Sequence, residues 1–168
     1  MTAVGKALVL GPGAGRLLEG NAHRMTIKLE ADDRSSEGFA LVEYTVTPGL
    51  PPNPAHLHRT FDEAWYILEG EVEFTLGAQR ELATSGTFVF APRGVPHQFR
   101  VRGSAPARWL TIFSPGRYFH MVEELLAVLP PGGGPPPAEA WKAILERYDS
   151  EVVSEGETRD QGRGSMST

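Results

Sequence analysis

Two of the chain's five histidines sit one residue apart, His56 and His58 in NPAHLHRTFDEAWYILEG, residues 53–70. Alternate residues of a β-strand share a face, with Cα atoms roughly 6.6 Å apart. From there two imidazoles can converge on one ion at roughly 2.0–2.2 Å. A carboxylate would complete such a site, and two follow, Asp62 and Glu63. Glu63 lies an odd number of residues after His58, so a single straight strand would carry it to the wrong face. The chain must therefore turn at RTFD, after which Glu63, Trp65 and Ile67 share the inward face of the next strand. Alternation then sends Asp62, Ala64 and Tyr66 outward. Periodicity alone does not set the register, so Asp62 stands as the rival.

A second stretch, GTFVFAPRGVPHQFRV, residues 86–101, ends a strand at Pro92, builds a turn on Arg93 and Gly94, and uses Pro96 to hold His97 at the start of the next strand. A histidine leaving a rigid proline-bounded turn is well placed to supply a third nitrogen. The chain has no cysteine, so disulfides, thiolate metal sites and cysteine nucleophiles are excluded together. Any metal here rests on histidine and carboxylate, a set that suits a divalent transition ion.

The elements that must position these residues are short. HRMTIKLEA alternates Met25, Ile27 and Leu29 with polar neighbours, and FALVEYTVTPG alternates Val42, Tyr44 and Val46. Further runs occur in AWYILEG, EVEFTLG, GTFVFAPRG, HQFRVRG and RWLTIFSPG, each closed by Gly or Pro. Period two with β-branched and aromatic residues predicts an all-β sandwich or barrel. After Pro115 the period changes. Phe119, Val122, Leu125, Leu126 and Leu129 have helical spacing, PPGGGPPP interrupts, and a second helix starts near Pro137 or Ala138 with Trp141, Ile144, Leu145 and Tyr148 as its apolar stripe. The expected layout is an N-terminal arm over 1–20, a β-barrel over 21–115, a helical extension over 116–153 and a disordered tail over 154–168.

With 168 residues, 40% hydrophobic and 22% charged, the chain is one globular domain in size and composition. A net charge of −5 argues against nucleic-acid binding. No segment approaches the roughly 20 apolar residues of a membrane helix, and the N-terminal apolar run is too short for a signal peptide, so a cytoplasmic protein without membrane partners is expected. The glycines of LVLGPGAGRLLEG do not form a phosphate-binding pattern and read as part of a flexible arm. Asp32, Asp33 and Glu37 read as a solvated turn, and His23 and His120 as a surface histidine and one on a helix face.

Together the two stretches resemble the motifs of the cupin superfamily. The first is G-x5-H-x-H-x3–4-E-x6-G, here running from Gly49 through His56, His58 and Glu63 to Gly70. The second is G-x5-P-x-G-x2-H-x3-N, here Gly86, Pro92, Gly94 and His97. One extra residue separates Gly49 from His56, and Val101 stands where the second motif often has asparagine; neither is a ligand position. The resemblance implies a small jelly-roll, double-stranded β-barrel with one or two C-terminal helices, similar to single-domain cupins related to quercetin dioxygenases. It implies His56, His58, Glu63 and His97 as ligands of one divalent metal per chain (Fe, Mn, Ni, Co, Cu or Zn), and a homodimer.

By parity, Trp65 and Phe99 lie beside the metal ligands, and Tyr44 and Phe74 join them from neighbouring strands; Phe88 and Phe90 are also expected inside, although their alternation fits either face. These aromatics serve equally as core packing or as the wall of an apolar pocket for a planar small molecule. The expected activity is a dioxygenase acting with O₂ on an aromatic or enolic substrate, with Glu63 both ligating and accepting the substrate's proton. A non-redox isomerase, cyclase or decarboxylase, or a non-catalytic binding cupin, would use the same fold.

Overall fold

The computed structural model describes residues 7–20, 23–30, 38–130 and 135–153. The acidic turn at Asp32, Asp33 and Glu37 and the tail from Ser154 lie outside the described residues.

Eleven strands form two antiparallel sheets among the described residues. In chain order they are β1 (Arg16–Gly20), β2 (His23–Leu29), β3 (Ala40–Val46), β4 (His56–His58), β5 (Asp62–Glu69), β6 (Glu71–Leu76), β7 (Gln79–Thr84), β8 (Phe88–Ala91), β9 (His97–Arg102), β10 (Ala107–Ser114) and β11 (Ser150–Val152). One sheet runs β1-β2-β3-β10-β5-β8 and the other β11-β4-β9-β6-β7. Consecutive strands repeatedly lie in different sheets, which is the jelly-roll way of closing a barrel. Helices α1 (Phe119–Ala127) and α2 (Ala138–Arg147) follow the barrel, just ahead of β11. No helix among the described residues is long and apolar enough to cross a membrane.

The alternation read from the sequence sets the core. Met25, Ile27, Val42, Tyr44, Val46, Trp65, Ile67, Trp109 and Phe113 are buried from the larger sheet and Val72, Phe74 and Ala83 from the smaller. Rings interlock across the gap. Trp65 meets Phe74 at 5.0 Å, and Phe99 meets Trp109 edge-on at 5.3 Å, while Tyr44 stacks on Trp109 at 5.5 Å within its own sheet. The β5–β6 connection needs a glycine. Gly70 has φ +78°, and a Cβ there would lie 2.7 Å from the Ala107 Cα.

Several expectations change. Residues 16–20 of the expected arm pair with β2 as a strand. β7, with only Ala83 buried, carries no alternating apolar signal, and its pairing with β6 forms it. Phe88 and Phe90 are outside, 60% and 51% exposed. Their register explains this: Val89 and Ala91 pair with inward Trp65 and Glu63, leaving Phe88 and Phe90 beside outward Tyr66 and Ala64.

Candidate metal centre

β4 is only three residues long, and it is the strand between β9 and β11. His56 pairs with His97 of β9, and His58 with Ser150 of β11. The turn after β4 is anchored by fully buried Phe61, whose ring stacks on His58 at 3.9 Å and on Tyr118 at 4.3 Å. β5 then brings Glu63 in from the opposite sheet. Asp62 faces away, where it accepts from the backbone N–H of Arg93 at 2.8 Å and pairs with the Arg93 guanidinium. Gly94, at φ +82°, donates its N–H to the His58 carbonyl at 2.6 Å, fixing the turn that delivers His97.

Four potential ligand atoms, one each from His56, His58, Glu63 and His97, lie within 4.8 Å of one another, and all four residues are buried. Glu63 Oε2 stands 3.2 Å from His58 Nε2 and 3.4 Å from His97 Nε2. Adjacent donors around one ion with bonds near 2.1 Å are about 3.4 Å apart in tetrahedral geometry.

The outer nitrogens determine what the inner ones offer. Nδ1 of His56 lies 2.9 Å from the Pro54 carbonyl, and Nδ1 of His97 lies 2.9 Å from the Val95 carbonyl. A carbonyl only accepts, so both Nδ1 atoms carry the proton. Nδ1 of His58 lies 2.8 Å from the Ser150 hydroxyl, which spends its own proton on the Tyr148 carbonyl at 3.1 Å. Ser150 therefore accepts from His58. All three rings carry hydrogen on Nδ1 and present an Nε2 lone pair inward.

Burial, followed by the neighbouring imidazoles, pushes the His56 pKa well down, and burial pushes His58 down to about 4. Burial alone would raise Glu63, but the His58 and His97 rings beside it outweigh burial and hold it at about 2. A neutral His58 ring and an ionised carboxylate thus aim lone pairs at one another at 3.2 Å, and His97 Nε2 stands 3.4 Å from the same oxygen. His97 Nε2 is buried with no hydrogen-bond partner. A cation among the four resolves that repulsion and supplies the missing partner, so the residues fit a divalent metal.

Acidification should expose this arrangement in metal-free protein. Between about pH 6.5 and about pH 4 the unfolded chain protonates His58 while the folded chain resists, so stability falls as pH falls, by about 3 kcal/mol from this residue. His56 works in the same direction. The depressed Glu63 carboxyl contributes stability above about pH 4.5 that is lost on further acidification toward about pH 2. Denaturant titrations of the metal-stripped protein across this range test the slope; a flat profile would contradict the buried neutral imidazoles.

Beside the four residues lies a cavity of about 130 Å³. Tyr44, Trp65 and Phe99 line it with His56, Glu63 and His97, whereas Phe74 packs behind Trp65 and Phe99 outside the lining. His23, expected at the surface, also lines it, and burial lowers its pKa. His120 is exposed and pairs with Glu123 at 3.0 Å. Asn53 lines the cavity as well, its Oδ1 accepting from the Phe99 N–H at 2.9 Å. Two contributors carried no sequence signal for a site. Ser150 belongs to no motif in the sequence, and Trp141 reads only as one member of an apolar stripe.

A sequence model of the Cupin domain family matches residues 42–113, the stretch holding all four metal-site residues. Quercetin 2,3-dioxygenase of Bacillus subtilis is 37% identical over 49 residues, 29% of this chain, and that match spans 14% of the dioxygenase's length. KdgF from a Halomonas species superposes with a TM-score of 0.56 at 15% identity, covering 66% of this chain and 94% of that one. A predicted oxalate decarboxylase from Thermotoga maritima gives 0.56 at 18% identity, covering 64% and 98%. At such identities the two structures speak for the fold alone, and they show the same one. The family match thus covers the metal-site strands, residues 42–113, and the chain around them folds as a two-sheet jelly roll of the kind seen in those cupin-fold structures.

Proposed function

We propose that the protein is a metal-dependent cupin dioxygenase acting on a small aromatic or enolic molecule. The observation that carries the reading is the convergence of three Nε2 lone pairs and one ionised carboxylate beside an aromatic-lined cavity. His56, His58, Glu63 and His97 would hold the ion. A bound divalent metal supplies Lewis acidity toward an enolic or carboxylate oxygen and, where redox-active, a place for O₂ chemistry. The limited likeness to a quercetin dioxygenase supports the same direction.

The chain's own groups do the rest. Tyr44, Trp65 and Phe99 line the cavity with aromatic rings, which exclude water from part of a bound ligand. Burial, then the Glu63 charge, raises the Tyr44 pKa well above its usual value, so it stays a neutral phenol. An engineered apolar void of about 150 Å³ accommodates a benzene, so about 130 Å³ suits one ring rather than a three-ring flavonoid. Glu63, held at about 2, is a better ligand than base. Its proton-acceptor role requires it to move off the ion first. The expected homodimer belongs to the same proposal.

The test is O₂ consumption by protein reconstituted anaerobically with Fe(II), Mn(II) or Zn(II) and offered one-ring enols and catechols. Uptake is expected with a redox-active ion and not with zinc. Turnover without O₂ use, zinc included, would replace the reading with an isomerase, cyclase or decarboxylase. Binding without turnover under any ion would leave a binding cupin.

A further inference from the structure

Two buried side-chain polar atoms lack a hydrogen-bond partner among the described residues, His97 Nε2 and Trp141 Nε1. A metal ion accounts for the first. Nothing in the metal centre accounts for the second. Trp141 lies on α2, outside the residues matched by the cupin family, yet it lines the same cavity as His56, Glu63 and His97. It is only 7% exposed. An indole N–H is a donor and nothing else, and a buried donor without an acceptor is rare enough in folded proteins to need a reason.

The surroundings offer none. The α1 residues that share the cavity wall are Met121, Val122, Leu125 and Leu126, three hydrocarbon side chains and a thioether that accepts only weakly. Two polar side chains of the lining are already engaged by the protein: Thr111 accepts from the Trp109 indole at 3.1 Å, and Asn53 from the Phe99 backbone. A phenylalanine or leucine would pack at position 141 without stranding a donor.

We propose that Trp141 is a ligand-recognition residue, its indole N–H donating a hydrogen bond to a carbonyl or carboxylate oxygen of the molecule that fills the cavity. The ligand is then a ring bearing an acceptor oxygen, held both at the metal and from α2. The inference rests on the proposed reading only in taking the cavity as a small-molecule site; it needs no oxygen chemistry.

The experiment uses ¹⁵N-labelled full-length protein loaded with zinc, which is redox-silent. With three tryptophans, the Trp141 indole cross-peak is the one missing from Trp141→Phe. Acetophenone and its isostere α-methylstyrene, at millimolar concentration, differ in the acceptor oxygen alone. Acetophenone is expected to move the Trp141 N–H downfield and slow its exchange with solvent, and α-methylstyrene is not. Trp141→Phe is expected to weaken acetophenone about tenfold and leave α-methylstyrene within about twofold.

Equal responses to the two probes, an acetophenone effect confined to the metal-site histidines, or no response of the Trp141 peak to either would each overturn the assignment. A protein that passes this test but consumes no O₂ would lose the proposed dioxygenase activity and keep the recognition contact.

Discussion

Replacing His56 and His58 together with alanine is expected to take bound metal from near one ion per chain to background, measured by elemental analysis after dialysis against metal-free buffer. The two residues supply half of the convergent donor set, and the remaining Glu63 and His97 would make a two-point site open to competing water. Backbone pairing of β4 with β9 and β11 does not use the imidazoles, so the strand is expected to persist. The loss is in packing: His58 stacks on Phe61, and its removal leaves a void whose cost is about 2–4 kcal/mol. His97→Gln separates the two effects. It keeps bulk near the site and retains an unmodified β4, yet removes the Nε2 that has no protein partner. Metal content unchanged in both variants, with near-ultraviolet circular dichroism intact, would mean that the four-residue cluster is not the metal site.

Much of the centre was legible because its residues obey local rules. His56 and His58 share a face by strand parity, and the RTFD turn resets the parity so that Glu63, not Asp62, points inward. His97 follows a proline-bounded turn whose Gly94 has the positive φ that such a turn requires. Strands with clean alternation, such as Ala40–Val46 and Ala107–Ser114, were legible for the same reason.

What escaped the sequence depends on partners distant in the chain. Gln79–Thr84 is a strand because Glu71–Leu76 offers it a ladder. Ser150–Val152 is a strand because the chain leaves α2 through Asp149, at φ +54°, and returns to pair with residues 56–58. Phe88 and Phe90 fit either face by composition, and only the register with β5 turns them outward. His23 reads as a lone polar residue until α1 and β3 close the cavity around it.

The C-terminal segment thereby joins the site at two points, through Trp141 in the cavity wall and Ser150 behind His58. It is well tethered there. The Arg59 backbone N–H donates to the Asp149 carbonyl at 2.9 Å, Val153 donates to Ala55 at 2.9 Å, and Arg59 pairs with Glu151. The Tyr148 hydroxyl donates to Glu124 on α1 at 2.7 Å. An extension lying outside the family match is thus placed to tune both the metal and its ligand.

Ser150→Ala is therefore expected to weaken metal binding about 10- to 100-fold without unfolding the barrel. Among the described residues the Ser150 hydroxyl is the one acceptor for His58 Nδ1, at 2.8 Å, and the pair is buried. Without it the Nδ1 proton has no partner, and the ring can gain by moving that proton to Nε2, where Glu63 Oε2 waits at 3.2 Å to accept it. The alternative tautomer points a hydrogen at the ion's position and must be reversed before His58 can ligate. Affinity measured by competition with a chelator reads this cost directly, and denaturant titration of the metal-free form reads any general loss of packing. Ser150→Thr keeps the hydroxyl and should recover most of the affinity, because the lost quantity is an acceptor and not a volume. If Ser150→Ala binds metal as tightly as the parent chain, the serine is packing alone, and the orientation of His58 must come from its stack on Phe61.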